Sequence, residues 1–378
     1  KMEFRLSYEK VLEVSDFFKE NLQNNNFENN GIVYIGMDAG WAKMSDEQLA
    51  DIARHCKANG QKAGIYFTPF SDWGKDPEAY INGNSGYKCK DAYLYANGKT
   101  QNMVAGGLAM DPTHPAIKER IRETAERFKR LGYEYIKIDF LTHGCAEADY
   151  YYDPEVQTGM QAYNKGMAYL LEQMEGMYIT MAISPLFPSQ YAHSRRIACD
   201  AWAGIGDTEY TLNSLTYGWW LNQVYTYNDP DHLLLEPVSD GENRARITSG
   251  VITGIFMNGD DLSYISGIQV AKDKARKFLT NEDINAIAKM GKSFRPVNGN
   301  MDGADFLFMY DTGKEVYLAA FNYSGYDLTY DLPLSRLGLR EFSTYKAKEL
   351  WSGKEVKFKK NVRVCIPKKD VLVFRIMR

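Results

Sequence analysis

The sequence predicts an α/β chain built as a (β/α)8 TIM barrel followed by a C-terminal antiparallel β-sandwich. Three observations carry that expectation. As far as about residue 260, short β-rich runs alternate with longer amphipathic stretches, the pattern of parallel βα units. From about Gly303 the apolar period drops to two, with tight-turn sequences between the runs. No GxGxxG or Walker sequence is present, so the usual mark of an open nucleotide-binding sheet is missing. The length of 378 residues fits, because a barrel alone uses about 250. The expected boundaries are 1–297 for the barrel and 298–378 for the sandwich.

A first helix is expected over Ser7–Leu22. With so few residues before it, the first barrel strand is expected upstream of Lys1 or poorly represented. Ile32–Asp38 (IVYIGMD) reads as a buried strand bounded by Gly31 and Gly40. Ser45-Asp46-Glu47-Gln48 is a capping box, and Leu49, Ile52 and Ala53 continue a helical period that Gly60 stops. Ala63–Phe70 is the next strand. Ser71 to Met110 is a long irregular stretch, of the kind that is usually functional. Asp111-Pro112-Thr113 opens a helix to Leu131, closed by Gly132. Tyr135–Phe140 (YIKIDF) is a strand, and a helix follows around Glu155–Met174. Strands are then expected at Tyr178–Ser184, Arg196–Trp202, His232–Val238 and Ile252–Met257, with helices at Thr211–Gln223 and Asn281–Phe294. The sandwich strands are Phe306–Tyr310, Val316–Asn322, Leu328–Leu332, Ser343–Leu350, Val356–Phe358, Asn361–Ile366 and Val371–Ile376.

Composition narrows the function. A net charge of −4 gives no basic surplus with which to neutralise phosphates, so no nucleic-acid partner is expected. No apolar run approaches the roughly 18 residues of a membrane span, so no membrane partner is expected either. Five scattered cysteines with no CxxC, and five histidines with no HxH or HExxH, signal neither a disulfide framework nor a zinc site. Neither a metal nor a cofactor is expected. The 27 tyrosines and 6 tryptophans supply flat amphipathic rings of the kind that suit sugar faces, although barrel cores use them too.

In a barrel the catalytic groups lie where strands end, on the face made by the βα loops. Asp38, Asp139, Ser184, Asp200 and Asp260/Asp261 are the polar residues that end the expected strands. Aspartate is depleted from strand interiors, so its repetition there is informative, although each could merely cap the following helix. Two carboxylates without metal-ligand histidines or a Ser–His pair fit glycoside hydrolysis, whose bond requires only a nucleophile and a proton donor. Lys137 lies two residues before Asp139, on the same strand face, where its ammonium would keep Asp139 ionised. Asp200, four residues after Arg196, would be the acid, with a pKa raised by apolar surroundings.

These stretches resemble the α-galactosidase-type enzymes of glycoside hydrolase families 27 and 36 over nearly the whole chain. Tyr34-Ile-Gly-Met-Asp38-Ala-Gly-Trp41 resembles a family strand ending in Asp-Asp-Gly-Trp. Lys137-Ile-Asp139 resembles the Lys-x-Asp that carries the family nucleophile, and Arg196-Ile-Ala-Cys-Asp200 the Arg-x-x-x-Asp that carries its acid/base. Asn228-Asp-Pro-Asp231, Gly259-Asp260-Asp261, Lys348-Glu-Leu-Trp351-Ser-Gly-Lys and Ile366-Pro-Lys-Lys-Asp-Val-Leu-Val resemble further stretches of the group. The resemblance implies a retaining exo-α-glycosidase acting on an oligosaccharide or glycoconjugate. Its catalytic pair would be Asp139 and Asp200, with Asp38, Trp41, Lys137 and Arg196 binding the sugar. Two features depart from the pattern. Ala39 stands where the family has a second aspartate, so one contact to a galactose hydroxyl is missing, and the family's opening Gly-Trp-Asn-Ser-Trp is not found. A catalytically silent or altered-specificity carbohydrate-binding relative is therefore the alternative.

Other polar residues have plainer readings. Asp229 and Asp231 bracket Pro230 and would hold a turn. Asp207 is a rival acid read as part of a loop or a helix cap, and His143 and Cys145 as pocket lining or structural residues. Of Arg195 and Arg196, on opposite faces, one is expected to be a solvated surface charge. Trp73 is read as a barrel-top or core aromatic.

Overall fold

The computed structural model describes residues 6–83, 86–299 and 302–378. It forms two compact units. One comprises the chain up to Ser15 together with Ile32–Arg195, and the other Asp16–Gly31 together with Arg196–Arg378. The expectation of a strand ahead of Lys1 lies outside the described residues. The first helix runs over Tyr8–Phe17 and loosens into a π turn at Phe18–Leu22.

The first unit is built on parallel strands lying side by side in chain order: β1 (Tyr34–Gly36), β2 (Lys62–Phe67), β3 (Tyr135–Ile138), β4 (Tyr178–Met181) and β5 (Ser194–Arg196). Helices Asp46–Ala58, Pro115–Leu131 and Gly159–Gln173 make the crossovers. The first starts at the Ser45–Gln48 capping box and the third at a Thr158–Gln161 box, while Gly132 closes the second at φ 96°. At the start of the strands, a Cβ on Gly64 would lie 2.1 Å from the Tyr135 ring, so glycine is what lets that ring cross β2. Tyr34, Tyr135 and Tyr178 cluster there, with ring centroids 5.4–5.8 Å apart. One end of the sheet is thus packed with aromatics, and the polar residues are gathered at the other.

The stretch 71–110 is less irregular than expected. Ser71–Asp72 pairs with Leu108–Ala109, Tyr95–Ala96 pairs with Lys99–Thr100, and a short helix covers Cys89–Ala92. Asp111 and Thr113 do not start the next helix, whose N-cap is His114. The Asp111 carboxylate instead accepts from Thr113 N–H and Oγ1 and, at 2.6 Å, from Tyr152 N–H, tying down the loop after β3.

In the second unit, helix Ile205–Gly218 ends in a 3-10 turn at Trp219–Gln223, and strand β6 is Tyr227–Asp229. Three expected elements shift. The strand placed at Arg196–Trp202 is β5, which ends at Arg196, because beyond it the Ala201 N–H is taken by the Asp231 carboxylate rather than by a neighbouring strand. His232–Val238 is not a strand and keeps only a single bridge, Leu233 to Asn258. Ile252–Met257 begins inside helix Asp240–Thr253. That helix starts at a Ser239–Glu242 capping box, and Asn243 and Ala245–Thr253 are all buried. Covered all round, it needs no apolar stripe and leaves no helical period to read. Helices Gln269–Phe278 and Glu282–Met290 follow.

Each expected sandwich strand is present: β7 (Leu307–Asp311), β8 (Glu315–Asn322), β9 (Leu328–Pro333), β10 (Thr344–Glu349), β11 (Glu355–Lys359), β12 (Asn361–Ile366) and β13 (Asp370–Met377). They order as β7-β8-β13-β10-β11-β12-β9, with Arg295–Pro296 added beside β7. Leu307, Met309, Val316, Leu318, Phe358, Phe374 and Ile376 are among the alternating residues that fill the core between the layers. The sandwich is fixed to helix Asp240–Thr253 by an Arg244–Asp370 ion pair and by the Trp351 indole, which donates to Thr248 Oγ1 at 3.0 Å.

Candidate active site

The first unit brings four of its polar residues together where the strands end. Strand register sets Tyr66 of β2 beside Lys137 of β3. The Lys137 ammonium lies 5.4 Å from the centre of the Tyr66 ring and donates to Asp38 Oδ2 at 2.7 Å. The Tyr66 hydroxyl donates to Asp139 Oδ2 at 3.2 Å, and the Phe140 N–H donates to Asp139 Oδ1 at 2.7 Å. Asp139 is buried at 8% exposure, whereas Asp38 is largely exposed. Burial raises the Asp139 pKa above its ordinary value; Lys137, the Phe140 N–H and Tyr66 pull the other way without cancelling it. The expectation that Lys137 keeps Asp139 ionised thus has the right sign, but desolvation outweighs it. Tyr66 was not singled out in the sequence. Its signal was its place on β2, two residues before Thr68, where that strand runs out.

Trp41 sits behind this group. Its indole donates to the Tyr66 carbonyl at 2.8 Å, Phe128 packs edge-on at 5.1 Å, and the Arg127 guanidinium lies over the ring at 5.4 Å. Trp73 is the more exposed tryptophan. It donates to Thr68 Oγ1 at 3.2 Å and packs against Phe140 at 4.6 Å. His143 is fully buried on the Phe140 carbonyl, and burial pushes the Cys145 thiol up to about 12, which makes it a poor nucleophile at neutral pH. Arg195 is not a solvated charge, since it donates to Ser184 Oγ at 3.0 Å and to the Ser184 carbonyl at 2.8 Å, holding the turn after β4.

In the second unit, Arg196 bridges two carboxylates. It reaches Asp200 Oδ1 at 3.2 Å and buried Asp231 Oδ1 at 2.8 Å, with Asp200 73% exposed. Asp231 also accepts from Ala201 N–H at 2.8 Å and pairs with His232 Nδ1 at 3.1 Å. Burial works to raise the Asp231 pKa, but His232, Arg196 and the Ala201 N–H overcome it and hold the carboxyl down at about 2. Asp229 does hold the turn, accepting from the Asp231 N–H at 2.8 Å. Asp231 does more than that, and the clue available in sequence was an acid pair flanking proline downstream of an arginine that ends a strand. Behind them the fully buried Arg246 donates to the carbonyls of Trp202, Pro230 and His232, lashing both loops to helix Asp240–Thr253. Asp207 caps its helix through Gly204 N–H. Asp260 accepts from Leu235 N–H and Asn258 Nδ2, and burial pushes it up to about 6. Asp261 accepts from Ser263 N–H. Among the described residues, no group of three or more His, Cys, Asp or Glu is placed to hold a metal ion.

Residues 309–376 match the α-galactosidase C-terminal β-sandwich domain. A family 27 β-L-arabinopyranosidase from Geobacillus stearothermophilus superposes with a TM-score of 0.76 at 13% identity, covering 99% of this chain and 93% of that one. α-Galactosidase I from Mortierella vinacea does so with 0.66 at 12% identity, covering 98% and 93%. The Arthrobacter globiformis isomaltodextranase complexed with panose gives 0.65 at 16% identity, covering 98% and 69%. The chain therefore has the α-galactosidase-like fold of glycoside hydrolase family 27, a (β/α)8 barrel followed by a C-terminal antiparallel β-sandwich.

Proposed function

We propose that the chain is a retaining exo-α-glycosidase acting on terminal α-galactosides or related α-glycosides by double displacement. The observation that carries this reading is the Asp38–Lys137 pair beside Asp139, a buried carboxylate held by two donors at the end of β3. Asp139 is the nucleophile. Its ionised oxygen attacks the anomeric carbon as the glycosidic bond breaks, giving a β-linked glycosyl ester. Asp200 donates its proton to the departing oxygen and then takes one from the water that cleaves the ester, restoring both carboxyl groups. Asp38, Lys137 and Arg196 present charged donors and acceptors to sugar hydroxyls, and Trp41 fixes the strand that carries Tyr66. The catalytic barrel is assigned to 1–297 and the sandwich to 298–378.

Ala39 favours a second reading, in which hydroxyl selection is relaxed or turnover is lost. The fold is shared with a β-L-arabinopyranosidase and with an enzyme solved with panose, so the sugar is left to experiment. The test is a panel of nitrophenyl α-galactoside, α-N-acetylgalactosaminide, β-L-arabinopyranoside and α-glucoside. The proposal expects turnover of more than one, or a preference other than plain galactose. Binding without turnover of any of them would establish the silent reading.

A further inference from the structure

The C-terminal sandwich carries a groove that the proposed reaction does not use. Strands β11 and β12 follow one another in the chain, yet they pair only at Lys359 with Asn361, beside the turn that joins them. On its other side β11 pairs with β10 at five positions, and β12 with β9 at six. The phase of those outer ladders is set by the Glu349 N–H on the Lys354 carbonyl and by the Leu334 N–H on the Lys360 carbonyl. By the alternation of an antiparallel ladder, the backbone groups of Glu355 and Lys357 turn toward β12, and those of Arg363 and Cys365 toward β11. Two strand edges thus face one another without closing, and a groove of about 820 Å³ lies along them.

The lining has two sides. Val356, Val364 and Leu372 pack against the sandwich core but are only partly buried, so the split leaves the core incompletely covered. By the strand period of two, the residues between the inward ones point outward, and these include Lys357, Lys359 and Arg363, all exposed. With Lys354 they make four cations that form no ion pair among the described residues. The two acids of the lining are already engaged: Asp370 by Arg244, and Glu349 by the N–H groups of Ser352 and Val373. An open strand edge is a template for one more strand. A segment laid there alternates by the same period, so its apolar side chains would meet Val356, Val364 and Leu372 while acidic ones meet the cations. A nucleic acid or an acidic polysaccharide would satisfy the cations, but it has no row of amide N–H and C=O groups at strand spacing to close the two edges. We propose that the β11–β12 groove docks, by strand addition, an extended segment of a partner protein in which apolar and acidic residues alternate.

The test is fluorescence anisotropy of the full chain with a labelled peptide of about six residues, roughly the ~20 Å of a typical strand, alternating valine and glutamate. Four controls accompany it: an isomer with its glutamates grouped together, a copy N-methylated at alternate residues, a short DNA duplex and an oligogalacturonate. The alternating peptide should bind, less tightly as salt is raised, and the grouped and N-methylated peptides should bind roughly tenfold or more weakly. Reversing two charges together, Lys357→Glu with Arg363→Glu, should also weaken binding roughly tenfold or more. Both side chains are exposed, and an unchanged circular dichroism spectrum confirms that the variant is folded. No binding of the alternating peptide at about 1 mM, equal binding of the grouped or N-methylated peptide, or a double variant with unaltered affinity overturns the proposal. Tighter binding of the duplex or the oligogalacturonate overturns it too, leaving the groove as a site for another polyanion.

Discussion

The Lys137 ammonium lies 2.7 Å from Asp38 Oδ2, although Asp139 is only two residues further along its own chain. Asp139 is bonded instead by the Tyr66 hydroxyl and the Phe140 N–H, and the lysine acts on it through space. One cation thus serves two carboxylates in different ways. It fixes the exposed Asp38 by contact and offsets part of the desolvation of the buried Asp139.

Because burial leaves the Asp139 pKa raised from its ordinary value, the acid limb of the kcat/KM profile should be shifted upward in the same direction if Asp139 is the nucleophile proposed. In Lys137→Met the lowering influence is gone, so the limb moves to higher pH. Loss of a charged contact costs about 1.5–3 kcal/mol, or roughly ten- to a hundredfold in kcat/KM on the plateau. A pH–rate series on the best nitrophenyl glycoside reads both effects. A limb that stays in place would show that Lys137 does not act on the charge of Asp139.

Asp231 should be a stability residue with a defined pH signature. Its folded pKa of about 2 lies below the unfolded value near ~3.9, so its contribution is complete above about pH 4 and is lost as the pH falls through about 2. The difference is worth about 2–3 kcal/mol. Asp231→Asn leaves Arg196 buried beside a neutral amide, and its expected cost at pH 7 is about 3–5 kcal/mol. Urea unfolding at several pH values measures it. A variant within about 0.5 kcal/mol of the parent at pH 7 would mean that Asp231 is only a turn residue.

Legibility in the sequence followed the range of the forces involved. The sandwich strands were readable because one face of each is buried and the other wet, which prints a period of two directly into the sequence. The helices after Ser45 and before Gly132 were readable because their caps are local. Helix Asp240–Thr253 was hidden because it is buried on almost every side, and Ile252–Met257 then passed for a strand. Asp139 stood out as an acid closing an apolar run. The bond from Tyr66 to Asp139 joins residues 73 apart, and the Arg246 contacts join its helix to several loops. Neither leaves a trace in local spacing, because a tyrosine in a strand and an arginine in a helix are ordinary by themselves.

The two carboxylates of the proposed mechanism should fail in different ways. Asp139→Asn cannot form the glycosyl ester, because an amide is no nucleophile here, and it should abolish turnover of every glycoside. Asp200→Asn loses only proton transfer. It should be crippled on substrates with a poor leaving group and milder on nitrophenyl glycosides, whose leaving group departs without protonation. On those activated substrates the glycosyl ester forms and then waits for a base to activate water. Added azide, which needs no base, should speed turnover by Asp200→Asn and yield an α-azide, since it attacks a β-linked intermediate. Proton NMR of the first sugar released by the unaltered chain completes the argument, because two inversions return the starting α configuration. A β product at early times, or an Asp139→Asn protein that still turns over, would reject Asp139 as the nucleophile. An Asp200→Asn protein equally impaired on all leaving groups and deaf to azide would reject Asp200 as the acid/base.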